Sequence, residues 1–193
     1  MADYKTIECD VCVIRSGLAG MAAALFAAGR GLRVAQTGHT GEIIFASGLL
    51  DLLAVYPPST KRLWRNPWAA IARLTGDIPE HPYAHLKEDD IKAAFDEILA
   101  LLKGFGLPYQ RRIDRSSDVL TAMGTAKRTY AVPHTMWNGV KALEKKATCL
   151  VVDIRGLKGF SARQIATCQQ PDWPDLRFGR ISFPDMDHLS EVY

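Results

Sequence analysis

The chain has 193 residues, 24 Lys+Arg against 21 Asp+Glu, and a formal net charge of +3. That length suits one generous domain, or one domain and the start of another. With 48% hydrophobic and 23% charged residues, the composition excludes wholesale disorder, a collagen-like repeat and a disulfide-dense mini-protein, and it does not suggest a strongly basic nucleic-acid binder.

Residues 7–14 (IECDVCVI) read as a buried strand of β-branched and small residues. Residues 17–29 (GLAGMAAALFAAG) are alanine-rich and predict a helix that stops at Gly29. A second short apolar run, 32–35, is the next parallel strand. Strand, glycine turn, helix and strand within about thirty residues form a βαβ unit. A glycine and threonine loop spans 37–48, and 49–55 is apolar and reads as a helical turn ended by Pro57-Pro58. Residues 66–74 predict a short helix with Pro67 at its first position, and 78–86, with Pro79 and Pro82, a loop. The clearest amphipathic helix is 88–103 (EDDIKAAFDEILALLK), with acids at its start and a lysine at its end. Residues 109–132 alternate, with turn signals at Ser116-Ser117 and Gly124, and read as two or three antiparallel strands. A helix over 135–146, a buried strand over 148–154, a helix near 161–168 and a late strand over 177–183 complete the reading.

Charge is uneven: residues 103–168 hold 12 basic and 4 acidic side chains. A solvated cationic face is the first reading of that block and an anionic ligand the second. Lys127 and Arg128 are read the same way. The four cysteines, Cys9, Cys12, Cys149 and Cys168, are too few for a secreted disulfide framework. Cys9-x-x-Cys12 has redox or metal spacing but reads as a pair of buried strand cysteines, and no histidine stands at a ligand spacing, so no metal site is expected. The N-terminus lacks a signal-peptide pattern, and no window reaches the ~18–20 apolar residues of a membrane helix. A cytoplasmic chain without nucleic-acid partners is expected.

The segment that carries chemistry is Arg15-Ser16-Gly17-Leu18-Ala19-Gly20, at the junction of the first strand and helix. Dinucleotide-binding folds place G-x-G-x-x-G there, for the tight turn, the close pyrophosphate approach and the helix–strand contact. Gly17 and Gly20 fill the last two positions, and Arg15 stands at the first. Two roles stay open for Arg15: crowding the phosphate path, or pairing with phosphate. At the end of the second strand, Gln36-Thr37 stands where such folds carry a ribose-binding acid, which weakens an ordinary NAD-dehydrogenase reading. His39 follows in the loop and reads as solvent-exposed.

At these residues the chain resembles the B subunit family of anaerobic glycerol-3-phosphate dehydrogenase, a flavoprotein family. The resemblance runs in order through GLAG at 17–20, GLRVAQT at 31–37, FASGLLDLL at 45–53, HPY at 81–83, LTAMGTAKRTY at 120–130 and CLVVDIRGLKGFSA at 149–162. Asp153 departs from it, standing where the family tends to have glycine. The resemblance implies an α/β fold: a three-layer, Rossmann-like FAD/NAD(P)-binding domain with an inserted antiparallel β region, incomplete at the C-terminus. Residues 1–103 would be the nucleotide-binding region and 104–193 a mixed α/β substrate-side region. FAD or FMN is the implied cofactor, with Arg15, Ser16, Gly17, Gly20, Thr37, Thr40, Ser47 and Gly48 as its expected contacts. The implied reaction is oxidation of glycerol 3-phosphate, a small phosphorylated polyol, to dihydroxyacetone phosphate, with electrons passed to quinone. Partner dehydrogenase and membrane-anchor subunits would hold the chain peripherally at the inner membrane. No residue is singled out as a catalytic acid or base. Two other readings stand beside this one: a non-catalytic protein that keeps the fold without the cofactor, and an NAD(P)-binding protein.

Overall fold

The structure, a computed structural model, describes residues 6–39, 47–182 and 184. The chain packs as two units, Met1–Gly48 and Leu49–Tyr193.

In the first unit, β1 (Val11–Ile14) and β2 (Val34–Thr37) pair in parallel, Val11 opposite Val34 and Ile14 opposite Thr37. The helix between them, α1 (Leu18–Gly29), is the expected crossover. Asp10 ties the two strand starts together. It accepts from the Arg33 backbone N–H at 2.8 Å and from Arg33 Nη2 at 2.9 Å. The Arg33 guanidinium and then the Arg33 backbone N–H hold the Asp10 carboxyl below its ordinary value. The expectation of a buried strand over 7–14 is corrected. The strand starts at Val11 and only alternate residues are sheltered; Cys12 is exposed and Ile14 is 77% exposed. A parallel sheet reads as continuously apolar when helices cover both faces, whereas this ladder alternates sheltered and exposed residues.

The second unit opens with a chain that pairs rather than coils. Residues 49–55, expected as a helical turn, are extended, with bridges from Leu50 to Ala131 and from Val55 to Leu63. Two helices follow, α2 (Pro67–Asp77) and α3 (Glu88–Gly104), with a short 3-10 turn at Pro82–His85 between them. Asn66 caps α2 by accepting from the Trp68 and Ala69 N–H groups at 2.9 and 3.1 Å. Four short strands come next, in two antiparallel pairs. β3 (Tyr109–Arg111) pairs with β6 (Ala131–Pro133), and β4 (Ser117–Leu120) with β5 (Ala126–Thr129). After α4 (Trp137–Lys145) comes a second βαβ unit: β7 (Cys149–Ile154), α5 (Ala162–Gln169) and β8 (Leu176–Ile181), its strands parallel. As in β1, the expected buried character of β7 holds for one face only, since Leu150 and Val152 are exposed.

The second unit holds the core. Leu52, Trp68, Ile71 and Tyr130 form one cluster, with Trp68 and Phe95 edge-on to the Tyr130 ring at 5.5 and 4.9 Å. Val119, Val132 and Val140 form a second. Leu143, Ile165, Ala166, Trp173 and Leu176 pack α4 and α5 against β8 in a third.

Two sequence segments that carried the family resemblance pack on each other here. Leu50 pairs with Ala131, Thr129 Oγ1 donates to the Leu50 carbonyl at 3.2 Å, and Lys127 meets Asp51 at 2.8 Å. Leu52 and Tyr130 share a core cluster.

Candidate functional site

The site begins where β1 ends. Ile14 is the last paired residue, and Arg15 follows at φ +97. Only glycine is at ease in that conformation. Arg15 thus takes up the backbone pose that a first fingerprint glycine would supply. Both of its peptide groups are tied to β2. Its N–H donates to the Thr37 carbonyl at 2.7 Å, and its carbonyl accepts from Gln36 Nε2 at 3.1 Å.

The glycines account for the rest of the turn. A Cβ on Gly20 would lie 2.5 Å from the Arg15 carbonyl oxygen, so α1 meets the turn only with glycine there. A Cβ on Gly38 would lie 2.6 Å from Ser16 N and 2.7 Å from Ser16 Oγ. Ser16 Oγ donates to the His39 carbonyl at 2.5 Å. Gly17 is the N-cap of α1, at φ −69 and ψ 174, with no side-chain cap and no acid in the first turn. The N–H groups of that turn and the helix dipole therefore favour an anion.

Of the expected contacts, Arg15, Ser16, Gly17, Gly20 and Thr37 come together in this turn. Gly48 adopts φ +73 at the junction of the units, with exposed Ser47 before it. Thr40 lies outside the described residues. The sequence reading missed Gly38, although a glycine directly after an apolar strand was the available signal. It noticed Gln36 only as a missing acid, whereas the structure gives its amide to the turn.

The other candidates resolve into local structure. Arg128 makes a two-pronged pair with Asp118 at 2.8 and 3.0 Å, and Glu144 meets Arg112 at 2.6 Å and Arg115 at 3.4 Å. Much of the basic block is thus engaged with carboxylates. His39 is exposed, as expected. Cys9 and Cys12 are free thiols. The expectation that both are buried strand cysteines is corrected: Cys9 is half-buried ahead of β1, and Cys12 is exposed, on the face of β1 away from the sheltered one. Among the described residues, no helix is long and apolar enough to cross a membrane.

A pyrophosphate needs close backbone approach, an uncapped helix N-terminus and positive charge. Gly20 and Gly38 let the turn close tightly on itself, the first turn of α1 is uncapped and carries no acid, and Arg15 adds a positive charge to the turn, so the turn fits a dinucleotide such as FAD.

Comparison with known proteins agrees. A family model described as an FAD binding domain matches residues 10–168. The chain is 28% identical over 195 residues to the B subunit of anaerobic glycerol-3-phosphate dehydrogenase from Yersinia pseudotuberculosis, covering 94% of this chain and 43% of that protein. Proteins of the same name from Actinobacillus pleuropneumoniae and Mannheimia succiniciproducens are each 26% identical over 94% of this chain, covering 44% and 43% of their own lengths. The chain therefore spans less than half the length of these relatives. No solved structure matches it significantly. The match over 10–168 includes the whole β1–α1–β2 turn, and the chain belongs to the FAD-binding domain family.

Proposed function

We propose that this chain is the FAD-binding part of a flavin-dependent oxidoreductase that acts on glycerol 3-phosphate. The observation that carries the reading is the Arg15–Gly20 turn, with its glycine clearances and uncapped helix, in a chain with an FAD-binding domain. Arg15, Ser16, Gly17, Gly20 and Thr37 hold the pyrophosphate end, with Gly38 letting Ser16 pack against the end of β2. Thr40, Ser47 and Gly48 are further contacts. FAD is the proposed cofactor, with FMN as the alternative that lacks the adenosine half. The region 1–103 serves the nucleotide, in a three-layer arrangement, and 104–193 serves the substrate as an inserted antiparallel region with its flanking elements.

The relatives are named as a subunit of a glycerol-3-phosphate dehydrogenase, and the reaction proposed on that name is glycerol 3-phosphate to dihydroxyacetone phosphate, with electrons going to quinone through partner subunits. Those partners would place a cytoplasmic chain at the inner membrane. When bound, the flavin supplies the two-electron chemistry. This chain's residues bind and orient it. The α1 N-terminus neutralises phosphate charge, and the tied Arg15 peptide fixes the turn.

A second reading rests on one observation, the strained φ of Arg15. In it the fold persists without cofactor. An absorbance spectrum of the purified chain, followed by denaturation and identification of any released flavin, separates the two. Stoichiometric FAD, as purified or after incubation, supports the oxidoreductase reading. A folded, colourless chain that takes up neither FAD nor FMN from excess overturns it in favour of the second. Uptake of a nicotinamide dinucleotide in place of flavin would favour an NAD(P)-binding protein.

A further inference from the structure

The residue at the end of β2 has a different task here from the one its position suggests. Dinucleotide-binding folds use a carboxylate at that place to accept from ribose hydroxyls. Gln36 instead donates its side-chain amide to the Arg15 carbonyl at 3.1 Å. The acceptor belongs to the peptide that follows the φ +97 residue. Such strain persists only where the surroundings over-determine it.

Two hydrogen bonds and one clearance do so. The Arg15 N–H is held by Thr37 and the Arg15 carbonyl by Gln36, while Gly20 leaves the carbonyl the space that a Cβ would fill. A carbonyl is an acceptor only, so its partner must be a donor. A glutamate at position 36 would set a carboxylate against that oxygen. The arginine at 15 and the amide at 36 therefore belong together: the first strains the turn, and the second restrains it.

We propose that Gln36 is a positioning residue for the cofactor pyrophosphate, acting through the Arg15 carbonyl, and that the ribose is not read by this residue. The inference rests on the FAD reading of the turn. It has one readout that does not need FAD.

The test is a double-mutant cycle on the full chain between position 15 (Arg15→Gly) and position 36 (Gln36→Met), with Gln36→Glu added. Gln36→Met keeps the length of the side chain and removes the donor. Two quantities are read: the Kd for FAD by quenching of flavin fluorescence, and the amide hydrogen exchange of β1 and β2 without FAD. With Arg15 in place, Gln36→Met is expected to raise the Kd about fivefold and to speed the apo exchange. Gln36→Glu should do more of both. In the Arg15→Gly background, where the turn needs no restraint, the Gln36→Met effects should shrink to less than half.

Wild-type Kd and wild-type apo exchange in Gln36→Met overturn the proposal. So do equal losses in the two backgrounds, which would place Gln36 on the ribose or elsewhere. If the wild-type chain binds no FAD, the FAD reading fails by itself and the apo exchange cycle decides the restraint. Coupling then supports a Gln36–Arg15 restraint but removes its cofactor role, and additivity overturns both.

Discussion

Arg15 concentrates the cost of the turn. A non-glycine residue far into positive φ is destabilised by about 1–3 kcal/mol, and glycine removes that strain while adding unfolded-state entropy. Arg15→Gly should therefore stabilise the turn by about 1 kcal/mol, read as slower amide hydrogen exchange in β1 and β2 of the full chain. Unchanged or faster exchange there would mean that the arginine side chain contributes more than its backbone costs. Asp153 is a second residue-scale case. It is 2% exposed, accepts from the Ala162 N–H at 3.1 Å at the start of α5, and pairs with Arg180 Nε at 2.6 Å. The Arg180 guanidinium chiefly lowers the Asp153 carboxyl from its ordinary value; burial opposes this and the Ala162 N–H assists. A carboxylate depressed in the folded state stabilises the fold above its unfolded value, and the contribution is lost as pH falls through the folded value. Asp153→Asn should thus be less stable than wild type at neutral pH, with the gap closing in acid. Thermal melts across that range check this, and a constant gap would mean that the charge has no part in it.

Among the elements, α2 shows how far local rules reach. Pro67 at the first position marked its start in the sequence, and Asn66 supplies the cap that the rule requires. Asn66→Ala should cost about 1 kcal/mol in urea unfolding, because the Trp68 and Ala69 N–H groups lose their acceptor. The βαβ start, α3 and the β7–α5–β8 order were legible for the same reason: periodicity and terminators act within a few residues. Residues 49–55 were not, because their partner is remote. Leu50 pairs with Ala131, and a short apolar run has the same sequence signal whether it pairs or coils. At the candidate site, Gly17 and Gly20 were legible from spacing, whereas Gly38 is required only because Ser16 comes to lie against it. Gly124 is similar. The sequence marked it as a turn, and its φ of +81 agrees, but a Cβ there would also lie 2.9 Å from Cys168 Cβ and 3.1 Å from Ile165 Cα. Gly124→Ala should therefore cost more than an ordinary turn glycine, about 2 kcal/mol or more by urea unfolding. A loss below about 0.5 kcal/mol would mean that α5 yields freely at this contact.

Across the whole molecule, the buried core and the glycine turn proposed to hold the cofactor fall in different units. Among the described residues, every buried hydrophobic residue lies at Leu52 or beyond, in the second unit. The first unit carries the dinucleotide turn, yet α1 has no buried residue. A unit of that size buries too little surface to be stable without help. The second unit has three apolar clusters and two capped helices of its own. Residues 49–193 expressed alone should therefore unfold cooperatively in urea, with helix and strand signals retained in far-UV circular dichroism. Residues 1–48 alone should show no cooperative transition. In the full chain, a ligand that binds the folded first unit stabilises it by mass action. Added FAD should slow amide hydrogen exchange first in β1, α1 and β2 and leave β4, α4 and α5 close to their apo rates. Equal protection of both units would mean that the cofactor acts on a single cooperative body. Protection confined to the second unit would move the binding site away from the Arg15–Gly20 turn.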